Sequence, residues 1–167
     1  YKLGEYGDWC KHTNFEIDTR IPLIVKMPDQ MTFGDSKSLV ETVDIYPTLS
    51  DLAGLDLPGH LQGTSFKYLL NDPNIQNDDV ALSQYPRSVK RKEGKQKLMG
   101  TSMRTKEWRY TRWVDRETNV LVGEELYDHR ASYQERDNLA FDPQYSEILN
   151  ALRARFKDAY EKEHQSY

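Results

Sequence analysis

Seven apolar positions near the end of the chain, Tyr145, Ile148, Leu149, Leu152, Phe156, Ala159 and Tyr160, recur at helical spacing, and the opposite face is charged. Asp142 suits an N-cap and Pro143 the first helical position, so the pattern predicts an amphipathic C-terminal helix. Before it the period changes from helical to two. Residues 98–105 and 108–114 read as a hairpin, with Trp108, Tyr110, Arg112 and Val114 on one face of the second arm and Arg109, Thr111 and Trp113 on the other. Residues 120–127 read as a third strand, and 80–85 as a strand running out into a loop at Pro86 and Arg87.

The first part of the chain is patterned differently. Residues 1–20 are loop-like, with turn points at Gly4 and Gly7. The apolar run 21–27, bounded by Pro22 and Pro28, reads as a strand buried on both faces. Residues 29–38 form a turn-rich surface segment. Residues 43–53 read as a helix capped by Asp44, with Pro47 in its first turn, an apolar stripe of Ile45, Leu49, Leu52 and Ala53, and Gly54 at its end. A loop over 58–66 leads to a short helix through Leu70. The polar stretch 71–79 is the expected subdomain boundary, dividing the chain into 1–75 and 76–167.

Composition narrows the function classes. Lys plus Arg number 23 and Asp plus Glu 27, for a net charge of −4, which argues against broad nucleic-acid binding. Three Trp and eleven Tyr supply core and platform material that disordered chains lack. No apolar run reaches membrane-spanning length. The single cysteine, Cys10, excludes an internal disulfide.

Five separated segments, in order, resemble the sulfatases of the alkaline-phosphatase superfamily. The first is Leu3-Gly4-Glu5-Tyr6-Gly7-Asp8-Trp9-Cys10-Lys11, continuing through Asn14-Phe15-Glu16 to Arg20-Ile21-Pro22-Leu23-Ile24. The second is Val43-Asp44-Ile45-Tyr46-Pro47-Thr48-Leu49, then Leu52-Ala53-Gly54; the third is Pro58-Gly59, then Leu61-Gln62-Gly63-Thr64-Ser65-Phe66. The fourth is Met103-Arg104-Thr105 with Trp108-Arg109-Tyr110-Thr111, and the fifth Glu125-Leu126-Tyr127-Asp128 with Glu135-Arg136-Asp137-Asn138-Leu139-Ala140. Ser83-Gln84-Tyr85-Pro86-Arg87 and the run 99–105 are similar to the iduronate-2-sulfatase branch, although Tyr6 and His12 depart from its pattern.

The resemblance implies an α/β fold: the C-terminal part of a sulfatase-type α/β sandwich, plus a small antiparallel sheet packed by a C-terminal helix. It implies hydrolysis of sulfate esters by a formylglycine nucleophile and calcium, both expected upstream of Tyr1, because Cys10 does not stand in a C/S-x-P-x-R motif. The chain opens on Tyr1 and is expected to be a processed or trimmed piece, inactive alone, whose partners are the N-terminal catalytic half and a sulfated, uronic-acid-containing saccharide. It also implies a periplasmic, secreted or lysosomal setting.

Lys11 matches the family's sulfate-contacting lysine. An ammonium there can hold the non-bridging oxygens and stabilise charge as the ester breaks. His12 either donates to the substrate or protonates the leaving oxygen, or else packs beside Trp9. Arg87 and Lys95 either bind the carboxylate and sulfate of a polyanionic glycan or belong to a solvated basic loop with Lys90, Arg91, Lys92 and Lys97. Glu5 and Asp8 could ligate calcium on chemistry alone, but the resemblance implies that they fix the loop by hydrogen bonds. Trp9 is expected to anchor the loop by packing more than to serve as a sugar platform, and Arg20 to form a structural ion pair. Two other functions fit the same residues: a phosphodiester or phosphonate monoester hydrolase of the superfamily, and a non-catalytic glycan-binding or assembly module.

Overall fold

A computed structural model describes residues 1–28, 33–91 and 94–164, with side chains described through Glu161. These divide into two compact units, one made of residues 1–21 and 82–156, the other of 22–81 with the chain from 157 onward. Lys92 of the basic stretch and residues 29–32 of the surface segment lie outside the described residues.

The first unit is built on a four-stranded sheet of sequential order: β3 (Ala81–Arg91), β4 (Gly94–Arg104), β5 (Trp108–Asp115) and β6 (Leu121–Asp128). Two short strands, β1 (Lys2–Leu3) and β2 (Trp9–Cys10), pair antiparallel at the start of the chain, and a single-turn helix α1 (Glu16–Thr19) follows. Strands β4 and β5 pair antiparallel from Leu98↔Asp115 to Arg104↔Arg109, and β5 and β6 from Trp108↔Asp128 to Val114↔Leu121 with a register shift at Trp113/Val114.

This register sorts the side chains as the alternation predicts. One face carries Trp108, Tyr110 and Leu126, against the C-terminal helix; Tyr110 meets Phe156 edge-on at 5.5 Å and Trp108 meets Tyr145 at 6.0 Å. The helix α4 (Ser146–His164) starts as expected, with Asp142 accepting from Gln144 N and Pro143 at the first position of a lead-in 3-10 turn. Leu149, Leu152 and Phe156 are its buried residues. The other face carries Arg104, Arg109, Thr111, Trp113, Glu125 and Tyr127 and lies under the N-terminal segment: Phe15 packs on Tyr127, and Asn14 Nδ2 donates to Gly100 O at 3.0 Å.

One strand differs from expectation. Pro86 and Arg87 do not end β3; the strand runs through them to Arg91, so much of the basic stretch is β-ladder and not loop. Pro86 is tolerated because β3 is an edge strand, where a missing N–H need cost no ladder bond.

In the second unit the helices α2 (Ile45–Leu52) and α3 (Lys67–Asn71) form as read, and Gly54, at φ 69°, closes α2 with the paired bonds Leu55 N to Ser50 O and Gly54 N to Asp51 O. Asp44 does not cap α2 through its side chain. Its carboxylate accepts instead from Glu41 N at 2.7 Å and Thr64 N at 2.8 Å, and Thr48 Oγ1 accepts from Phe66 N at 3.0 Å. Gly63 is obligatory in this arrangement, since a Cβ there would lie 2.2 Å from Val43 O. The second and third motif segments are thus tied to each other.

Two further expectations fail here for one reason. Residues 21–27 form no strand and are not buried, Ile24 being 91% exposed; the stripe of α2 is open too, with Leu49 58% exposed. A strand needs neighbouring strands and an apolar stripe needs a surface to cover it; among the described residues no strand pairs with 21–27, and Leu49 stays open.

Phe156→Ala removes a ring buried between helix and sheet, and is expected to destabilise the first unit by about 3–5 kcal/mol in urea unfolding. A loss under about 1 kcal/mol would mean that α4 does not pack on the sheet as described.

Candidate functional site

The loop between β1 and α1 is wound through an unusual backbone. Gly4, Tyr6, Gly7, Cys10 and His12 all have positive φ, at 121°, 59°, 68°, 68° and 87°. Left-handed backbone is costly for residues with a Cβ, and such residues persist only where the surroundings hold them. Here they flank Lys11 on both sides. Gly7 N bonds Gly4 O at 3.0 Å, and Asp8 N bonds Glu5 O at 3.1 Å. The carboxylates of Glu5 and Asp8 accept from Leu3 N and Trp9 N, which is the loop-fixing role expected of them.

The structure brings three of the four predicted substrate residues to this loop. Lys11 is exposed, with Nζ 5.7 Å from the centre of the Tyr1 ring. His12 meets Tyr85 of β3 edge-on at 5.9 Å. Arg87, two residues along the same strand face, donates from Nη2 to Asp8 Oδ2 at 3.3 Å. Lys95 is exposed near the start of β4, and no described contact ties it to the other three. Two packing roles differ from expectation. Trp9 is 66% exposed and is not a buried anchor, and among the described residues the ring that His12 meets is Tyr85. Arg20 stacks its guanidinium over the Tyr133 ring at 4.6 Å, in place of the expected ion pair among the described residues.

Beneath the loop lies a buried ionic cluster that the residue-level reading did not single out as a site. Glu16 Oε2 accepts from Arg109 Nη2 at 2.5 Å and Arg104 Nε at 3.1 Å; Glu135 Oε1 accepts from Arg109 Nε at 2.6 Å. His129 Nε2 lies 2.8 Å from the same Glu135 oxygen, and Glu135 Oε2 accepts from Glu16 N at 2.7 Å. Two carboxylates therefore face two guanidiniums in a nearly water-free setting. Burial alone would raise the Glu16 pKa, but Arg104 and Arg109 outweigh it and hold it below the usual range. A smaller buried pair, Lys2 with Asp18 and Thr13, fixes the root of the loop; the Lys2 ammonium lies 2.5 Å from Asp18 Oδ2. No periodicity marks the cluster, because Glu16 lies on α1, Arg104 on β4, Arg109 on β5, and His129 and Glu135 in the loop after β6. The only signal is the presence of Glu16, Arg104, Arg109 and Glu135 in the matched segments; His129, Lys2, Thr13 and Asp18 stand outside them.

Glu16, His129 and Glu135 also place three ligand-type atoms within 4.8 Å of one another. Their chemistry does not fit a metal ion: both carboxylates are already engaged by guanidiniums, and a cation would bring like charge against Arg104 and Arg109. Calcium fits no better at the loop, where Glu5 and Asp8 are held by backbone N–H groups and Arg87.

Comparison with known proteins places this arrangement. The family model described as N-sulphoglucosamine sulphohydrolase, C-terminal, matches residues 4–162. The chain belongs to this family. The chain is similar to iduronate 2-sulfatase of Mus musculus, 28% identical over 92% of this chain, and to delta 4,5-hexuronate-2-O-sulfatase of Bacteroides thetaiotaomicron, 30% identical over 99% of it. The chain spans 39% and 35% of the lengths of these two relatives. A solved structure described as in complex with its substrate D-glucosamine-2-N,6-O-disulfate superposes with a TM-score of 0.79 over 98% of this chain and 33% of its own, at 24% identity, and shares the fold. The expected α/β architecture of a sulfatase C-terminal part is therefore the observed one. Within the sulphohydrolase family frame, the first, fourth and fifth motif segments are those that meet in the buried ionic cluster.

Arg109→Ala leaves Glu16 and Glu135 buried without their main counter-charge, and is expected to cost about 3–5 kcal/mol in urea unfolding. The stability that Glu16 adds over Glu16→Gln should be fully present above about pH 5. It should shrink once pH falls below the unfolded carboxyl value of about 4.3, and vanish below the depressed folded one. A difference independent of pH from 7 down to 3 would contradict this.

Proposed function

We propose that the chain forms part of a sulfuric ester hydrolase acting on a uronic-acid-containing glycan. The observation that carries the reading is the convergence of Lys11, His12 and Arg87 on one backbone-constrained loop within a sulphohydrolase family match that covers nearly the whole chain. Two relatives support the saccharide class, because their names specify iduronate and hexuronate sulfates.

In this reading the reaction adds water across the sulfur–oxygen bond, releasing sulfate and the sugar hydroxyl. Lys11 holds the non-bridging sulfate oxygens and offsets the charge that builds on them. His12, beside it, donates a proton toward the leaving oxygen or a hydrogen bond to the substrate. Arg87 offers a planar guanidinium to a carboxylate or sulfate and keeps its second contact to Asp8, which ties substrate grip to loop shape. Lys95 extends the positive rim. The formylglycine nucleophile and the calcium ion come from the N-terminal half of the protein, outside this chain, and that half also covers residues 21–27 and the open stripe of α2. A periplasmic, secreted or lysosomal setting follows from the same reading. Among the described residues no helix is long and apolar enough to cross a membrane.

The test uses the intact enzyme with its N-terminal half. Lys11→Ala should lower kcat/KM on sulfated uronate saccharides by about 10²–10³-fold, the size expected when one stabiliser of developing charge is lost. Turnover equal to wild type would remove Lys11 from the site. Residues 1–167 alone should release no sulfate from an aryl sulfate; measurable release would contradict the assignment of the nucleophile.

A further inference from the structure

The sheet face under the N-terminal segment carries a cavity of about 370 Å³ beside the ionic cluster, and its construction is specific. Trp113 lines it. A Cβ on Gly100 would lie 2.6 Å from two carbons of that indole and 2.8 Å from Asn14 Nδ2, so only glycine allows the ring to lie against β4. The ring is also held by its edge, since Nε1 donates to Glu125 Oε1 at 3.0 Å. Asn14 is buried in the wall, with Oδ1 lacking a partner among the described residues. Arg87 and Arg91, on inward-facing positions of β3, line the cavity as well. Burial pushes the Glu125 carboxyl above its usual range.

We propose that this cavity is a subsite for a second sugar ring of an anionic saccharide, next to the ring whose sulfate ester meets Lys11. The inference rests on the functional reading above and deepens it. A fixed indole offers a flat apolar face to the C–H side of a pyranose. Glu125 offers an acceptor for its hydroxyls, and the two guanidiniums suit a carboxylate or sulfate substituent. The volume falls in the range of small-ligand clefts and accommodates a monosaccharide ring. Arg87 belongs to both places, through its contact with Asp8 of the Lys11 loop and its position on the cavity wall, so the two rings would sit adjacent.

The experiment compares kcat/KM of the intact enzyme on a sulfated uronate monosaccharide and on the corresponding tetrasaccharide. Wild type should prefer the tetrasaccharide. Trp113→Ala should reduce that preference about tenfold through KM, with Trp113→Phe retaining part of it, as expected for loss of one aromatic platform. Gly100→Ala, which pushes the indole off the strand, should act like Trp113→Ala. If these variants fail to fold, Arg91→Gln at the rim should still lower the preference. A wild type indifferent to length, or variants that stay folded and keep the full preference, would overturn the subsite. If the wild type cleaves neither substrate, the functional reading fails separately; calorimetric binding of an unsulfated uronate tetrasaccharide, weakened by Trp113→Ala, then supports the cavity as a saccharide site, and no binding overturns it.

Discussion

One constraint organises the first unit: Glu16 and Arg109 meet across the sheet face, with Arg104, Glu135 and His129 completing the contact. Taking these charges out of water is unfavourable, so the arrangement persists only with every partner in place. That demand fixes α1 against β4 and β5 and pins the segment before it. The Lys11 loop is held between this cluster at one end and the Lys2–Asp18 pair at its root. A loop with three non-glycine residues in left-handed backbone needs such fixed ends, or it would relax to commoner conformations. The ionic cluster thus contributes to function through geometry, without touching a substrate.

The second unit uses a neutral version of the same idea. Asp44 and Thr48 do not serve their own helix; their oxygens receive the backbone N–H groups of Thr64 and Phe66 and hold the incoming segment, while Gly63 permits the close approach. The polar faces are satisfied locally and the apolar ones are left open, as Ile24 and Leu49 show. Large exposed apolar positions beside well-paired polar ones describe a surface made to be covered. The N-terminal half proposed above is the occupant that the functional reading supplies.

The parts of the fold legible from sequence were those with a strong period and local chemistry. The α4 pattern, the Asp142 cap, the Gly54 stop and the two-faced β5 strand all declare themselves within a few residues, and all four are present. What stayed hidden depended on distant partners. The continuation of β3 through Pro86 follows from its edge position, which no local signal records. The failure of 21–27 to become a strand follows from the lack of a neighbour, not from its composition. At the site, Lys11 and Arg87 were singled out through resemblance, and His12, which departs from the family pattern, through the chemistry of its ring. The ionic cluster is assembled from residues up to 119 positions apart, and the Trp113 floor depends on Gly100 lacking a side chain, so neither leaves a local pattern.

A double-mutant cycle on Glu16→Gln and Arg109→Met, read by urea unfolding of the chain, tests the central role of this contact most directly. A coupling of about 2 kcal/mol or more is expected for a desolvated, hydrogen-bonded pair whose members depend on each other. A coupling below about 0.5 kcal/mol, the size measured for solvent-exposed pairs, would contradict the account and leave the Lys11 loop without its anchor.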